Sequence, residues 1–343
     1  MKKIRVGING FGRIGRAFLK VAREREEIEI VAINDLGSVE NFAYLLKYDT
    51  AYGVSDFDVS AKADGSALIV AGKEIAFVSQ RDATLLPWKK YDIDVVVEST
   101  GLFVDYTKAK VHLDAGAKRV VITAPAKGGI EGKDGMTILM GLNEDRFKTC
   151  PITSNASCTT NAGSPLIAIL DEAIGIEKAV LNTVHAYTAS QSLVDGPAKK
   201  DLREGRSAAM NIVPSSTGAA IAVTKALPSL EGKFDGISIR VPVVVGSIVD
   251  VTFISKKNTT KEEVNAILKK AAADKRWKNI FAVTEEPLVS SDIKGDSHAS
   301  IADLEMTRVV DGNLVKVLAW YDNEMGYTHT LVDHVVEAGA FAK

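Results

Sequence analysis

Cys158 and His185 have the side chains of a nucleophile and its base. Cys158 lies in the run SNASCTTN, before an apolar helix candidate at 163–173 that Ser157 or a near neighbour could cap. A helix N-terminus lowers the pKa of a thiol in its first turn, so Cys158 is a candidate thiolate. His185 ends an apolar strand in TVHAYT and is the candidate base. The alternatives are an inert, buried cysteine and a structural histidine.

A glycine-rich turn near the N-terminus predicts a dinucleotide site. The run GFGRIG at 10–15 follows an apolar strand and opens an amphipathic helix. Gly10 allows a tight turn, Gly12 lets a pyrophosphate approach the backbone, and Gly15 lets the helix pack closely. Asp35, at the end of the next strand, would bind the adenosine ribose and repel a 2′-phosphate, which favours NAD over NADP. The alternative is an ordinary turn followed by a strand-end aspartate.

The elements that would position these residues fall into two patterns. The first 150 residues alternate strands with helices, which predicts an α/β domain with a parallel sheet. Strands dominate the remainder, which predicts an α+β domain with a mixed or antiparallel sheet. The predicted strands are 3–9, 28–34, 66–70, 74–78, 94–98, 118–123, 136–140, 178–186, 235–244, 247–255 and 314–321. The predicted helices after the first are 39–48, 105–116, 163–173, 216–227, 260–273 and 326–341.

Composition limits the class of protein. With 343 residues, 46% of them hydrophobic, and a formal net charge of −2, the chain is typical of a globular protein and has no charge excess to attract nucleic acid or membranes. Two cysteines, Cys150 and Cys158, cannot form a disulfide framework, and no spacing predicts a metal site. No apolar run is long enough to span a membrane. We therefore expect a cytoplasmic protein.

Six motifs occur in order along the chain: NGFGRIGR, SNASCTTN, TVHAYT, NIVPSSTGAA at 211–220, SIRVP at 238–242 and WYDNEMGY at 320–327. In order and spacing they resemble the glyceraldehyde-3-phosphate dehydrogenase family. The resemblance implies a homotetramer in which each subunit has a Rossmann domain and a catalytic domain. The implied bounds are 1–157 for the NAD-binding domain, 158–323 for the catalytic domain, 324–343 for a helix that returns to the first domain, and 187–213 for an S-loop lining the neighbouring subunit's cofactor site.

The resemblance also implies a mechanism. Cys158 attacks the aldehyde of glyceraldehyde 3-phosphate, His185 acts as base and forms an ion pair with the thiolate, and inorganic phosphate cleaves the resulting thioester. Two anion sites follow, one for the substrate phosphate (Thr188, Arg240) and one for the attacking phosphate (Ser157, Thr159, Thr217, Gly218). Many members have two adjacent S-loop arginines; here the run is DLREGR, and Arg203 is the candidate.

The cofactor residues implied by the resemblance are Gly10, Gly12, Arg13, Ile14, Gly15, Asp35, Arg81, Ser99, Thr100, Gly101, Thr123, Asn323 and Tyr327. Asn323 would hold the nicotinamide carboxamide, and Tyr327 would pack near the ring. At Pro197, in the run VDGPAKK, the chain resembles the NAD-type members of the family, and the NADP-using photosynthetic type differs there. Pro197 and Asp35 therefore both favour NAD.

Two alternatives stay open. Erythrose-4-phosphate dehydrogenase has the same fold but hydrolyses the thioester, and that subgroup departs from HAYT and PSSTGAA, both present here. A non-catalytic NAD-binding protein is the second alternative, and the intact pair of Cys158 and His185 argues against it.

Overall fold

A computed structural model describes residues 2–198 and 201–342. The chain forms two compact units. Unit 1 comprises Met1–Ile138, Asn143–Ala156 and Thr328–Lys343, and unit 2 comprises Leu139–Leu142 and Ser157–Tyr327. The predicted S-loop includes residues 199 and 200, which lie outside the described part.

Unit 1 is built on a nine-stranded sheet. Its elements in chain order are β1 (Ile4–Asn9), α1 (Arg13–Ala22), β2 (Ile28–Asn34), α2 (Val39–Lys47), β3 (Tyr48–Asp49), β4 (Gly53–Val54), β5 (Val59–Ala61), β6 (Ala67–Val70), β7 (Lys73–Val78), β8 (Val95–Glu98), α3 (Tyr106–Asp114), β9 (Arg119–Ile122), β10 (Met136–Thr137) and β11 (Ile152–Ser154). The strand order is β10-β11-β9-β8-β1-β2-β7-β6-β5. Pairing is parallel from β10 to β7, and the last two pairs are antiparallel.

The central strands of this sheet are apolar runs with no polar alternation. Every residue of β8 and of β9 is buried. Strands with helices on both faces have no solvent side, so continuous runs such as VVVE and RVVI are what a parallel sheet requires. The prediction of a parallel α/β domain is confirmed.

Unit 2 is built on a seven-stranded mixed sheet. Its elements are α4 (Cys158–Ile174), β12 (Ile176–Ala186), β13 (Val213–Ser216), α5 (Ala219–Ala226), β14 (Phe234–Val241), β15 (Ser247–Ser255), α6 (Lys261–Ala272), β16 (Phe281–Thr284), β17 (Ser300–Val310) and β18 (Leu314–Tyr321); α7 (Met325–Ala340) follows and continues into unit 1. The order is β13-β14-β12-β15-β18-β17-β16, with β12–β14 and β16–β17 parallel and the other pairs antiparallel.

In the strands of unit 2, buried residues instead alternate with partly exposed ones. In β15, buried residues occupy every second position from Ser247 to Ser255. Alternation is typical of a sheet packed on one face only. Helix α4 lies against this sheet, and most of its residues are buried. This burial is expected because the helix is apolar and has no polar stripe to face solvent. The predicted mixed sheet is confirmed.

Several element predictions were wrong in extent. The strand predicted at 136–140 ends at Thr137, because residues Leu139–Leu142 leave the first sheet and belong to unit 2. The sequence patterns also missed the short strands β3, β4 and β5, and strands β11, β13, β16 and β17. The longest of these, β17, is interrupted by a register shift between Asp303 and Arg308, which breaks the period-2 pattern that would have identified it.

A buried histidine joins α7 to the sheet of unit 1. The His334 Nε2 atom lies 2.7 Å from Thr153 Oγ1, its Nδ1 lies 3.2 Å from Asn155 Oδ1, and its ring packs edge-on against Phe147. Burial and the nearby charge of Arg119 lower the pKa of His334 to about 3. The imidazole is therefore neutral in the folded protein.

We expect His334 to make folding less favourable in acid. Below the ordinary histidine pKa of about 6.5, the unfolded chain takes up a proton that the folded chain does not, so stability falls as the pH decreases towards 3. His334→Gln retains a donor and an acceptor but does not titrate. Urea unfolding should show the wild type losing about 1.3 kcal/mol more than this variant between pH 7.5 and 5.5. Equal losses in both proteins would contradict a neutral, buried His334.

Candidate active site

The first candidate site is a cavity of about 360 Å³ in unit 1, at the carboxyl ends of the central strands. Strand β1 has parallel neighbours on both sides, β2 and β8, so the strand order reverses there. Ligands of open α/β sheets bind at such a switch point. The predicted cofactor residues that line the cavity are Gly10, Gly12, Asp35, Arg81, Ser99 and Thr100.

The three glycines of the turn have distinct geometries. Gly10 has a φ of +94°, and a Cβ there would lie 2.7 Å from the Thr100 backbone nitrogen. A Cβ at Gly15 would lie 2.2 Å from the carbonyl oxygen of Gly10. At Gly12 nothing lies within 4 Å of the position that a Cβ would take, so the backbone there faces open space. These positions are those that a tight turn, a closely packed helix and an approaching ligand require.

The turn also presents a helix N-terminus to the cavity. Gly12 is the N-cap of α1, and within the described chain no side chain caps this helix. The first-turn N–H groups and the helix dipole favour an anion at this end. Asp35 lies beside the turn, where its carboxylate accepts hydrogen bonds from the Phe11 and Gly37 nitrogens at 2.7 and 3.2 Å. A cavity with these groups fits the pyrophosphate and ribose of NAD.

The remaining predicted cofactor residues lie in different places. The Arg13 side chain pairs with Asp49 at 3.2 Å. The Thr123 hydroxyl donates to the Glu98 carbonyl. Ile14 lies in α1, and Gly101 adopts a φ of +73° after the end of β8. Asn323 and Tyr327 are buried in unit 2, where the Asn323 Oδ1 atom accepts from Gly246 N and Ser247 Oγ.

The second candidate site begins at helix α4 of unit 2. Cys158 is its first residue, and Ser157 is its N-cap: the Ser157 hydroxyl accepts from Thr160 N at 3.0 Å, and the Thr160 hydroxyl bonds the Ser157 nitrogen. Ala156, just before the cap, has a φ of +54°, a strained conformation of the kind that clusters at functional sites. The cap therefore fixes the thiol in the first turn, where the helix dipole favours a thiolate.

The structure brings three predicted residues together here. The Cys158 sulfur lies 3.3 Å from His185 Nε2, and Arg240 Nη1 lies 2.5 Å from His185 Nδ1. Parallel pairing of β12 with β14 sets His185 directly opposite Arg240. For Nε2 to accept the thiol proton, Nδ1 must carry the other ring proton and donate it to the Ala186 carbonyl, 2.6 Å away. Guanidinium nitrogens only donate, so in this tautomer Arg240 Nη1 forms no hydrogen bond with Nδ1, and the two N–H groups lie side by side. Arg240 donates to the same carbonyl and thus holds both groups.

Burial and charge act in opposite directions on this pair. Burial raises the pKa of the Cys158 thiol, and the Arg240 guanidinium opposes that rise. Burial and Arg240 together lower the pKa of His185 to about 3. Either charge alone is therefore disfavoured, whereas proton transfer from sulfur to nitrogen creates both charges at once and adds no net charge. An anion bound to Arg240 would make the imidazolium more favourable.

Tyr321, which has no role among the sequence-based predictions, joins the site to the sheet. Its hydroxyl lies 2.9 Å from Thr159 Oγ1 and 2.8 Å from Thr183 Oγ1, and its ring contacts His185 edge-on. Burial raises the pKa of this phenol. Tyr321 lies at the end of β18 within the quoted WYDNEMGY motif, and its strand-end position was the signal available.

The other predicted anion-binding residues form hydrogen bonds or ion pairs with residues near them in sequence. Thr188 bonds Ser190, and Thr217 accepts from Ala219 N at the start of α5, where Gly218 is the N-cap. Arg203 is exposed and forms a two-pronged ion pair with Asp201.

Metal sites and membrane spans are both absent from the described residues. These residues contain no group of histidine, cysteine, aspartate and glutamate side chains arranged to hold a metal ion. No helix in the same part of the chain is long and apolar enough to cross a membrane.

A switch-point cavity beside the start of α1, and a cysteine–histidine pair beside an arginine, are the features expected of a dinucleotide-dependent oxidoreductase, with Cys158 as a candidate nucleophile. Comparison with known proteins identifies the family to which the chain belongs. Residues 4–106 match the model of the glyceraldehyde 3-phosphate dehydrogenase NAD binding domain, and residues 157–323 match that of the C-terminal domain. The chain belongs to the glyceraldehyde-3-phosphate dehydrogenase family.

Similar proteins cover almost the whole chain. A glyceraldehyde-3-phosphate dehydrogenase of Borreliella burgdorferi is 50% identical over 96% of this chain and 98% of its own length. Those of Streptomyces coelicolor and Geobacillus stearothermophilus are each 48% identical, over 98% and 96% of both chains.

We expect Asp35→Asn to relax the preference for NAD. The variant keeps an acceptor for the turn but loses the charge that would bind ribose hydroxyls and repel a 2′-phosphate. Steady-state kinetics should show the ratio of kcat/KM for NAD over NADP falling about tenfold or more. The exposed Asp64→Ala variant is the control and should leave the ratio unchanged. An unchanged ratio in Asp35→Asn would exclude this carboxylate as the discriminating group.

Proposed function

We propose that this protein oxidises D-glyceraldehyde 3-phosphate with NAD and inorganic phosphate to 1,3-bisphosphoglycerate and NADH, in glycolysis or gluconeogenesis. The observation that carries the proposal is the 3.3 Å approach of the Cys158 sulfur to His185 Nε2 at the start of α4, beside Arg240. Family membership supports the substrate and the cofactor.

In the proposed first step, Cys158 sulfur bonds the aldehyde carbon while its proton goes to His185 Nε2, and the imidazolium then returns this proton to the former carbonyl oxygen. The product is a hemithioacetal. Arg240 stabilises the thiolate electrostatically, and a substrate phosphate bound by Arg240 and Thr188 would screen the repulsion between Arg240 and the imidazolium. Tyr321 keeps the first turn of α4 in place through Thr159.

Oxidation then converts the hemithioacetal to a thioester. NAD supplies the hydride acceptor for this step. His185 takes the hydroxyl proton as the carbon loses hydride, so two electrons leave the substrate and the sulfur becomes acylated. Phosphate attacks the thioester carbon, the Cys158 thiolate leaves, and the acyl phosphate is released.

The attacking phosphate would be held by neutral donors at two helix starts. These are the Ser157 and Thr159 hydroxyls at α4 and the Thr217–Gly218 turn at α5. Arg203 would have to leave Asp201 to contribute a charge.

For the cofactor, we propose the residues of the unit 1 cavity and turn, with Asn323 and Tyr327 at the nicotinamide. We propose domain limits of 1–157 and 158–323, with helix 324–343 returning to the first domain.

The phosphorylating activity predicts that NAD reduction depends on phosphate or arsenate. With glyceraldehyde 3-phosphate as substrate, steady-state NADH production should fall at least about tenfold when phosphate is omitted, because the acylated Cys158 then turns over only by hydrolysis. Equal rates with and without phosphate would refute the phosphorylating activity. Better turnover of erythrose 4-phosphate than of the triose would favour the tetrose-phosphate alternative.

Cys158→Ser tests the nucleophile within the same assay. A serine hydroxyl is far less acidic than a thiol, so turnover should be lost while NAD binding, measured by calorimetry, persists. Cys150→Ser is the matched control, and it should retain activity.

We also propose a homotetramer. Large apolar side chains are exposed along the described part of 187–213, and these are Leu193, Val194, Leu202, Met210 and Ile212. Val180 and Ile237, on neighbouring strands β12 and β14, are more than half exposed as well. Clustered exposed apolar groups of this kind favour burial against other subunits.

Light scattering should therefore give a mass four times the 36.7 kDa of the chain. Val180→Glu with Ile237→Glu should reduce that mass, because buried, unpaired carboxylates oppose association. Val310→Glu, at an exposed strand end elsewhere, is the control. A monomeric wild type would refute the tetramer.

A cytoplasmic location is proposed from the cysteine chemistry. Both Cys150 and Cys158 are free thiols, and a reactive Cys158 is preserved by a reducing compartment.

A further inference from the structure

A buried carboxylate lies beneath the cofactor cavity of unit 1. Glu98 ends strand β8 and is 1% exposed. Its Oε2 atom accepts hydrogen bonds from Asn9 Nδ2 at 2.6 Å and from His112 Nε2 at 2.9 Å. Its Oε1 atom accepts from the Thr100 backbone nitrogen at 2.9 Å and from the Thr100 hydroxyl. Four donors thus surround one buried charge, as a buried carboxylate requires.

Trp88 fixes the proton of the histidine in this cluster. Its indole N–H, which can only donate, points at His112 Nδ1 from 3.1 Å. Nδ1 is therefore the acceptor, and Nε2 carries the proton that is donated to Glu98. Both rings are fully buried, so water cannot replace either partner.

The hydrogen bonds continue along the strand ends to the far side of the cavity. Asn9 Oδ1 accepts from Asn34 Nδ2 at 2.8 Å. Asn34 in turn bonds both backbone groups of Gln80, donating to its carbonyl and accepting from its nitrogen. The chain therefore joins the carboxyl ends of β8, β1 and β2 to the segment after β7.

Four members of this chain, Asn9, Asn34, Gln80 and Thr100, also line the cavity, whereas Glu98, His112 and Trp88 do not. Each amide and ring has only one orientation in which every donor meets an acceptor. His112 lies between the indole donor and the Glu98 acceptor. The two asparagine amides lie between the same carboxylate and the backbone nitrogen of Gln80, which can only donate. The arrangement of the cavity floor is thus fixed by residues that a ligand in the cavity would not touch.

We propose that Glu98 and His112 are positioning residues that hold the floor of this cavity in the shape that binds the adenosine diphosphate part of NAD. This inference rests on the proposed function for the identity of the ligand. It assigns to Glu98 an indirect role, through Asn9 and Thr100.

His112 offers a matched pair of variants. His112→Leu removes the donor to Glu98 and the acceptor for Trp88, which leaves buried polar groups unpaired. His112→Gln carries one donor and one acceptor about as far apart as the two ring nitrogens. Calorimetry with NAD and with ADP-ribose should show Kd raised about tenfold in the leucine variant and restored to within about threefold in the glutamine variant.

Glu98→Gln tests the charge, with Val120→Ala as its control. In either orientation the glutamine NH2 would face two donors, those of Asn9 and His112 or those of Thr100, so NAD and ADP-ribose Kd should rise about tenfold or more. KM for glyceraldehyde 3-phosphate at saturating NAD should not change. Val120 is buried in β9 away from the cavity, so its truncation destabilises unit 1 without touching this network.

The outcomes separate positioning from mere stability. If His112→Leu and Val120→Ala lose similar thermal stability and both retain wild-type Kd, the inference is wrong. If the leucine and glutamine variants of His112 bind NAD equally weakly, it is also wrong. The His112 pair decides the question if Glu98→Gln does not fold. A wild-type chain that binds neither NAD nor ADP-ribose would refute the proposed function, and with it this inference, before any variant is compared.

Discussion

A helix begins with backbone N–H groups that have no partner within the helix, and both sites of this protein are built on that constraint. Gly12 is the N-cap of helix α1, no side chain among the described residues caps this helix, and the backbone at Gly12 faces open space at the switch point of the sheet. Helix α4 is capped by Ser157, and the same end carries Cys158. One helix start thus offers donors to a ligand anion, whereas the other uses its dipole to favour a thiolate.

The second requirement is register. His185, the proposed base, lies near Cys158 only because the end of β12 reaches the first turn of α4, and Arg240 lies beside His185 because β12 and β14 are paired in parallel. A shift of one residue along β14 would turn Arg240 to the opposite face of the sheet. Tyr321 reinforces the arrangement, since its hydroxyl links Thr159 on the helix to Thr183 on the strand.

In the sheet of unit 1, polar side chains at the strand ends are buried beneath the cavity, and each of them needs a hydrogen-bond partner. A carboxylate with four donors, two asparagines and a histidine satisfy one another there, so few groups need water. Such a network has one arrangement in which all partners are paired. The cavity floor consequently depends on residues that lie outside the cavity.

Sequence alone determined the features that depend on local pattern. Continuous apolar runs identified the parallel strands, the glycine spacing identified the turn, and the motifs around Cys158, His185 and Arg240 identified the family. Only the tertiary structure decided what depends on long-range pairing. Strand β17 was missed because a register shift breaks its alternation. Glu98 and His112 showed no special pattern in the chain, and the position of Tyr321 at a strand end did not reveal its partners, because packing brings those partners together from other elements. Arg203 stands where many family members have two adjacent arginines, and its ion pair with the nearby Asp201 was decided by the folded loop.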